Sequence, residues 1–315
     1  MITQERFLET MINKLTKGFA FILILILAVS QISVYAASTP PAWIQAVEGT
    51  TSGESEELKA WREEKSKLKV PILLYHHITT DEFTEEESVS LISPEDFRLH
   101  MEAVKAAFSP ISLRDYYEYV MCDDGKVTLP KNPIVITFDD GYLSNYEIAY
   151  PILKELNIPA TIFVVTDTVG AAKGEGKVNN SHFTWEQAKE MESSGLIEIQ
   201  SHTVNHLRLT EQSMIESIRQ LRKSKYDIEK NMGKRCDMIA YPYGAYNETL
   251  KNAARAAGYK MQLLVDNKST GLEYDVNLPS EGVESITRMT IAGTMGNVNV
   301  IETIIQTMNS KDIPE

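Results

Sequence analysis

Four short segments gather the residue types that activate water for hydrolysis. Thr137-Phe138-Asp139-Asp140-Gly141 sets two adjacent carboxylates at the end of a β-branched run. Successive side chains at a strand end diverge, so one carboxylate can face a metal ion and the other a substrate water. Taken alone, the pattern reads more readily as a solvated Asp-Asp-Gly turn, which is common. His202-Thr203-Val204-Asn205-His206 places two of the chain's six histidines four residues apart. A helical turn would bring both imidazoles to one face, and neutral imidazoles at that spacing ligate divalent transition metals. The competing reading is two surface histidines in a loop. Tyr75-His76-His77-Ile78 offers a histidine whose ordinary pKa lies near neutrality, suited to protonating a leaving amine. For His77 a plain hydrogen-bonding role at the strand end is the better reading. Tyr241-Pro242-Tyr243-Gly244 reads as a stiff turn that aims a backbone N–H into a cleft, as an oxyanion donor does, and also as an ordinary turn.

The four segments together make a complete set for cleaving an amide or ester. Two histidines and a carboxylate hold a metal ion with positions left open. A second carboxylate accepts the proton of the attacking water, and a separate histidine protonates the leaving group.

The elements that must position these segments alternate between strand and helix from Val70 onward. Apolar runs at 71–75, 133–138, 160–165, 196–200, 238–241, 261–265 and 286–291 read as buried strands. Ser93-Pro94-Glu95-Asp96 and Thr184-Trp185-Glu186-Gln187 are helix starts. Further helices are expected at 210–232, stopped by Gly233, at 247–257 and at 298–308. This alternation predicts an α/β fold, a deformed (β/α)7-type barrel with its active site at the carboxyl ends of the strands. All four segments fall just after an expected strand. The loops at 79–92, which is acidic, and 166–183, with Gly170, Gly174 and Gly176, are expected to shape a groove there.

The chain begins with the order of a secretory signal peptide. Arg6, Lys14 and Lys17 precede an apolar run from Phe19 to Val29, and small residues end at Ala36-Ala37. The apolar run is short for a membrane span, which needs about 20 residues. Residues 1–36 are therefore expected to be a signal peptide, with an uncleaved anchor as the alternative. Residues 37–69 read as a linker or tether ending in a charged, solvated helix, and 70–315 as the functional domain. A net charge of −13, from 31 basic and 44 acidic residues, argues against nucleic-acid binding. Cys122 and Cys236 are the two cysteines, too few for a disulfide framework or a thiolate zinc site.

The order TFDDG at 137–141, then HTVNH at 202–206, then YPYG at 241–244 resembles the polysaccharide deacetylases of carbohydrate esterase family 4, the NodB-homology domain. Trp185 and the helix it opens fit the same pattern. The resemblance covers residues 70 to about 265. It implies Asp139 as general base, Asp140, His202 and His206 as metal ligands, and the Tyr243 N–H as oxyanion donor. Two positions depart from that pattern. Ala240 stands where the third motif normally has an arginine bracing the catalytic aspartate, and Arg288 is the candidate substitute. No histidine follows His206, so the late acid histidine is missing. Tyr75-His76 takes its place, which resembles the circularly permuted branch, similar to exported poly-N-acetylglucosamine deacetylases, and implies His76 as general acid.

The implied function is metal-dependent removal of N-acetyl groups from an extracellular or cell-wall polysaccharide. Zn2+ is the expected ion, with Co2+, Ni2+ or Mn2+ as alternatives. The expected enzyme is an exported monomer whose partner is an N-acetylated polysaccharide, with no integral membrane domain after signal cleavage. An O-acetyl esterase on xylan or a similar glycan, or a catalytically silent carbohydrate-binding protein, are the competing functions.

Overall fold

The structure, a computed structural model, describes residues 54–311 apart from 173, 175–177 and 266–274. The expected signal peptide at 1–36 and tether residues 37–53 lie outside the described residues. The charged segment that follows does form a helix, α1 (Glu56–Lys67), but it is docked rather than wholly solvated. Trp61 is its buried residue, and its indole N–H donates to the Val127 carbonyl at 3.0 Å.

The strands are β1 (Ile72–Tyr75), β2 (His77–Ile78), β3 (Leu91–Ile92), β4 (Ser109–Ile111), β5 (Pro133–Asp140), β6 (Ala160–Val164), β7 (Ile197–Ser201), β8 (Met238–Ala240), β9 (Met261–Leu263) and β10 (Met289–Thr290). Eight of them form one parallel sheet in the order β10-β1-β5-β6-β7-β8-β9, with β4 pairing against the start of β5. β2 and β3 pair separately. The sheet curls without closing fully. Among the described residues β9 is bridged not to β10 but to Ile286, in the segment just before it. This is an open, deformed form of the expected barrel.

Strands in such a sheet are buried on both faces and read as continuous apolar runs. Their alternation divides the core in two. Leu73, Ile134, Ile136, Phe138, Ile162 and Val164 pack outward beneath the helices. Ile72, Val135, Phe163, Met238 and Ala240 pack in the other, inner cluster. Thr137 and Asp139 continue the inner line of Val135 along β5, because side chains two apart share a face.

The helices that follow are α2 (Pro94–Ala107), α3 (Leu113–Met121), α4 (Tyr150–Leu156), α5 (Trp185–Ser193), α6 (Met214–Met232), α7 (Glu248–Ala257) and α8 (Asn297–Ser310). Ser93 caps α2 by accepting from the Asp96 N–H, and Thr184 and Gln187 form a reciprocal capping box on α5. α6 begins later than expected. Ser213 caps it, and Leu209–Glu211 forms a separate short turn in front. Gly233, at φ 70°, ends it in the left-handed conformation. The last strand is also shorter than the apolar run at 286–291, because only Met289–Thr290 pairs with β1.

Candidate active site

β5, β7 and β8 are near neighbours in the sheet, and their carboxyl ends deliver three of the four segments to one place. The backbone there is unusual. Among the described residues six non-glycine positions have positive φ: Asn132, Asp140, Asn157, Thr203, His206 and Tyr243. Asparagine tolerates this conformation, and the other four belong to the site. Each such residue costs about 1–3 kcal/mol and persists only where its surroundings hold it.

Asp139, at the end of the inner line, is 1% exposed. Asp140 turns out of the strand at φ 71°, which separates the two carboxylates. Gly141 continues the turn at φ 79°, where a Cβ would meet Val164 Cγ1 at 3.0 Å. The two histidines converge in a different way from the one their spacing predicts. Residues 202–206 form no helical turn; Thr203 at φ 70° and His206 at φ 55° fold the loop back instead. The ring centroids come to 4.9 Å. Gln220 of α6 holds this loop by accepting from the Val204 and Asn205 N–H groups at 2.9 and 3.0 Å.

Asp140, His202 and His206 offer one ligand atom each, all within 4.8 Å of one another. The Asp140 Oδ1 lies 3.7 Å from His202 Nε2 and 3.5 Å from His206 Nε2. His202 Nδ1 is 2.8 Å from the Ala240 carbonyl, which can only accept, so that nitrogen carries the proton and Nε2 presents a lone pair. His206 is kept toward its neutral form, first by burial and then by the nearby His202. Carboxylate oxygen and imidazole lone pairs thus point at a common centre with no proton between Asp140 and His202. A divalent cation fits that donor set, and one carboxylate with two imidazoles leaves coordination positions open.

The Arg288 guanidinium enters from just before β10 and makes a bidentate pair with Asp139. It is 0% exposed, lies 5.4 Å from the Phe163 ring centroid, and donates through Nε to the Leu264 carbonyl at 2.9 Å. Burial pushes the Asp139 pKa up. The Arg288 charge and its hydrogen bonds, with His202 and His76 beside it, outweigh it and hold Asp139 well below the usual carboxylate range. His76 sits at the end of β1, its carbonyl accepting from Asn145 Nδ2 at 2.8 Å, and its buried Nδ1 has no hydrogen-bond partner among the described residues. Tyr243 stands in a turn at φ 60°, and no hydrogen bond from its backbone N–H is found among the described residues.

Three residues beside the site escaped the sequence reading. Tyr142 is stacked between His77 at 4.6 Å and His182 at 5.0 Å, and its phenol pKa is raised by burial and then by Asp140. His77 has the hydrogen-bonding role expected of it, with Nδ1 2.7 Å from the Ser144 hydroxyl. The stack lies where the two expected groove loops meet, since Asp81 of one accepts from the Asn179 N–H of the other at 2.9 Å. The third, Gln220, reads in sequence as one more polar helix residue. A buried mid-helix glutamine shows itself only once burial is known.

A parallel half-barrel carrying an Asp-His-His cluster beside a buried, ion-paired carboxylate defines a metal-dependent hydrolase. The polysaccharide deacetylase family model matches residues 126–262. YxkH of Bacillus subtilis (strain 168), whose name assigns it to the polysaccharide deacetylases, is 32% identical over 209 residues, spanning 66% of this chain and 68% of that protein. The poly-beta-1,6-N-acetyl-D-glucosamine N-deacetylase of Staphylococcus aureus (strain MW2) is 36% identical over 152 residues; the match spans 46% of this chain and 51% of that protein. The Streptococcus pyogenes deacetylase PplD, solved in complex with acetate, superposes with a TM-score of 0.62 at 28% identity, covering 75% of this chain and 98% of that one. The chain belongs to the polysaccharide deacetylase family. It is a hydrolase that uses a divalent metal to release acetate from an acetylated glycan. His76 and Arg288 both lie outside the segment that the family model matches.

Proposed function

We propose that this is an exported, Zn2+-dependent N-deacetylase of a poly-N-acetylglucosamine-type polysaccharide, with Asp140, His202 and His206 as metal ligands. When bound, the ion supplies Lewis acidity to the acetyl carbonyl and acidifies water. Asp139 is the general base: held ionised by Arg288, it takes the proton of the attacking water. Arg288 braces it through one oxygen each, leaving a second lone pair on both oxygens for that proton. The Tyr243 N–H donates to the oxygen that gains negative charge as the carbonyl carbon becomes tetrahedral. His76 is the general acid and gives its proton to the sugar nitrogen as the C–N bond breaks, leaving acetate and a free amine.

The single observation that carries this reading is that Arg288 and His76, far apart in sequence, both act on Asp139. His76 comes from β1 and Arg288 from beside β10, and β1 pairs with both β5 and β10. An acid just after the first strand is the permuted arrangement implied by the resemblance, and the Staphylococcus aureus relative supports the glycan. The basic, apolar, small-residue order of residues 1–36 supports export with cleavage after Ala36 or Ala37, with 37–69 as a linker or tether that includes α1. No helix among the described residues is long and apolar enough to cross a membrane.

The test is acetate release from β-1,6-linked, chitin-type and peptidoglycan oligomers, with Zn2+, Co2+ or chelator. Metal-dependent release strongest on the β-1,6-linked oligomer is the expected result. Release from O-acetyl xylan alone would replace the N-deacetylase with an esterase.

A further inference from the structure

The two ligand histidines are secured unequally. His202 is 2% exposed, and its Nδ1 is tied to a main-chain carbonyl. His206 is 31% exposed and has positive φ, and no main-chain acceptor for its ring is found among the described residues. A ligand in that position needs an outside group to hold its ring and proton.

We propose that the side chain of Tyr243 is that group, a positioning residue for His206, separate from anything its backbone N–H does. The inference rests on the metal-centre reading above. The Tyr243 hydroxyl lies 3.2 Å from His206 Nδ1, and the two rings meet edge to face at 4.7 Å. With His206 Nε2 turned toward Asp140, Nδ1 carries the proton and donates it to the phenolic oxygen. The phenol's own hydrogen is then left to point into the groove. On the Tyr243 ring rests the Arg208 guanidinium at 4.5 Å, which is itself held by Glu211 at 3.3 Å. Arg208, Tyr243 and His206 form one column.

The turn that carries Tyr243 is closely packed. Gly244 follows at φ 63°, where a Cβ would sit 2.8 Å from Val265 N. The same short segment therefore fixes both ligands. The Ala240 carbonyl sets the tautomer of His202, and the Tyr243 hydroxyl sets that of His206. Ala240 lacks the arginine side chain of the usual third motif, yet its main chain still serves the metal centre.

The discriminating variant is Tyr243→Phe, which keeps the ring, the cation–π contact and the backbone N–H and removes only the hydroxyl. Zn2+ affinity of the full chain is measured by competition with a chromophoric chelator, and Co2+ binding by its visible absorption. The expected result is about a 10-fold or greater loss of Zn2+ affinity and an altered Co2+ spectrum. Zn2+ affinity unchanged in Tyr243→Phe overturns the inference, whether or not kcat falls. A parent chain that binds no Zn2+, like a His206→Ala control, overturns the metal-centre reading itself and this inference with it.

Discussion

Arg288 grips Asp139 with both terminal nitrogens, Nη1 to Oδ1 at 2.6 Å and Nη2 to Oδ2 at 2.7 Å, across 149 positions of sequence. Neither side chain has more than 2% of its surface in solvent. Removing one partner of a buried pair strands the other charge, which costs more than the pair contributes. Arg288→Met is expected to destabilise the fold by about 3–5 kcal/mol in chemical denaturation. Adding Asp139→Asn to that variant should recover part of the loss, because no charge is then left buried alone.

The same pair sets a pH dependence. The folded pKa of Asp139 is below its unfolded value, so its contribution to stability is complete above about pH 3.9 and is lost as pH falls through the folded value. In Arg288→Met the burial cost loses its main opponent and the folded pKa rises. The acid-unfolding midpoint, followed by circular dichroism, should move to higher pH. In Arg288→Lys, which keeps the charge but not the fork, the shift should be smaller and in the same direction. An unmoved midpoint in both variants would remove Arg288 as the group that holds Asp139 ionised.

His76→Ala should lower kcat on an N-acetyl substrate by about 10²- to 10⁴-fold. Zn2+ affinity, measured separately, should be unchanged, since His76 is outside the Asp-His-His cluster. An O-acetyl ester, with a leaving group that needs less protonation, should lose much less. Full turnover on the amide would take the acid role away from His76.

His202→Ala and His206→Ala should each abolish metal-dependent acetate release. His202 is buried and locked to Ala240, so its loss also leaves the Ala240 carbonyl without its donor. Thermal unfolding without metal should therefore fall further for His202→Ala than for the more exposed His206→Ala.

Gly244→Ala and Gly233→Ala separate backbone strain from close contact. Both glycines have positive φ, but a Cβ at 233 meets nothing within 4 Å while one at 244 collides with Val265. Gly233→Ala should cost about 1–2 kcal/mol from the left-handed conformation alone. Gly244→Ala should cost more. It should also depress kcat by displacing the Tyr243 N–H, with misplaced oxyanion donors costing about 10²-fold or more.

The strands and the family were legible because both faces of the sheet are buried and three motifs follow their strands directly. Asp139, Asp140, His202, His206 and Tyr243 stand in sequence where their elements end. Arg288 was reachable only through an absence, the alanine at 240, since nothing near 288 resembles a site. The approach of His202 to His206 was foreseen and its geometry was not, because left-handed φ at Thr203 and His206 leaves no mark on residue type. Tyr142 and His182 were hidden because their partners come from loops, where contacts follow no period. β4 and α3 were missed for separate reasons. β4 is three residues containing a proline, whereas the Ser112–Asp115 capping box of α3 was readable and went unread.

The bridge from Arg288 to Asp139 also bears on how the enzyme is made. Domains emerge from synthesis amino end first. A nascent chain that has emerged through β8 already carries Asp139 and the whole Asp-His-His cluster. It still lacks Arg288, the guanidinium that pairs with both Asp139 oxygens. That pair is completed only when the last part of the domain docks and β10 pairs with β1.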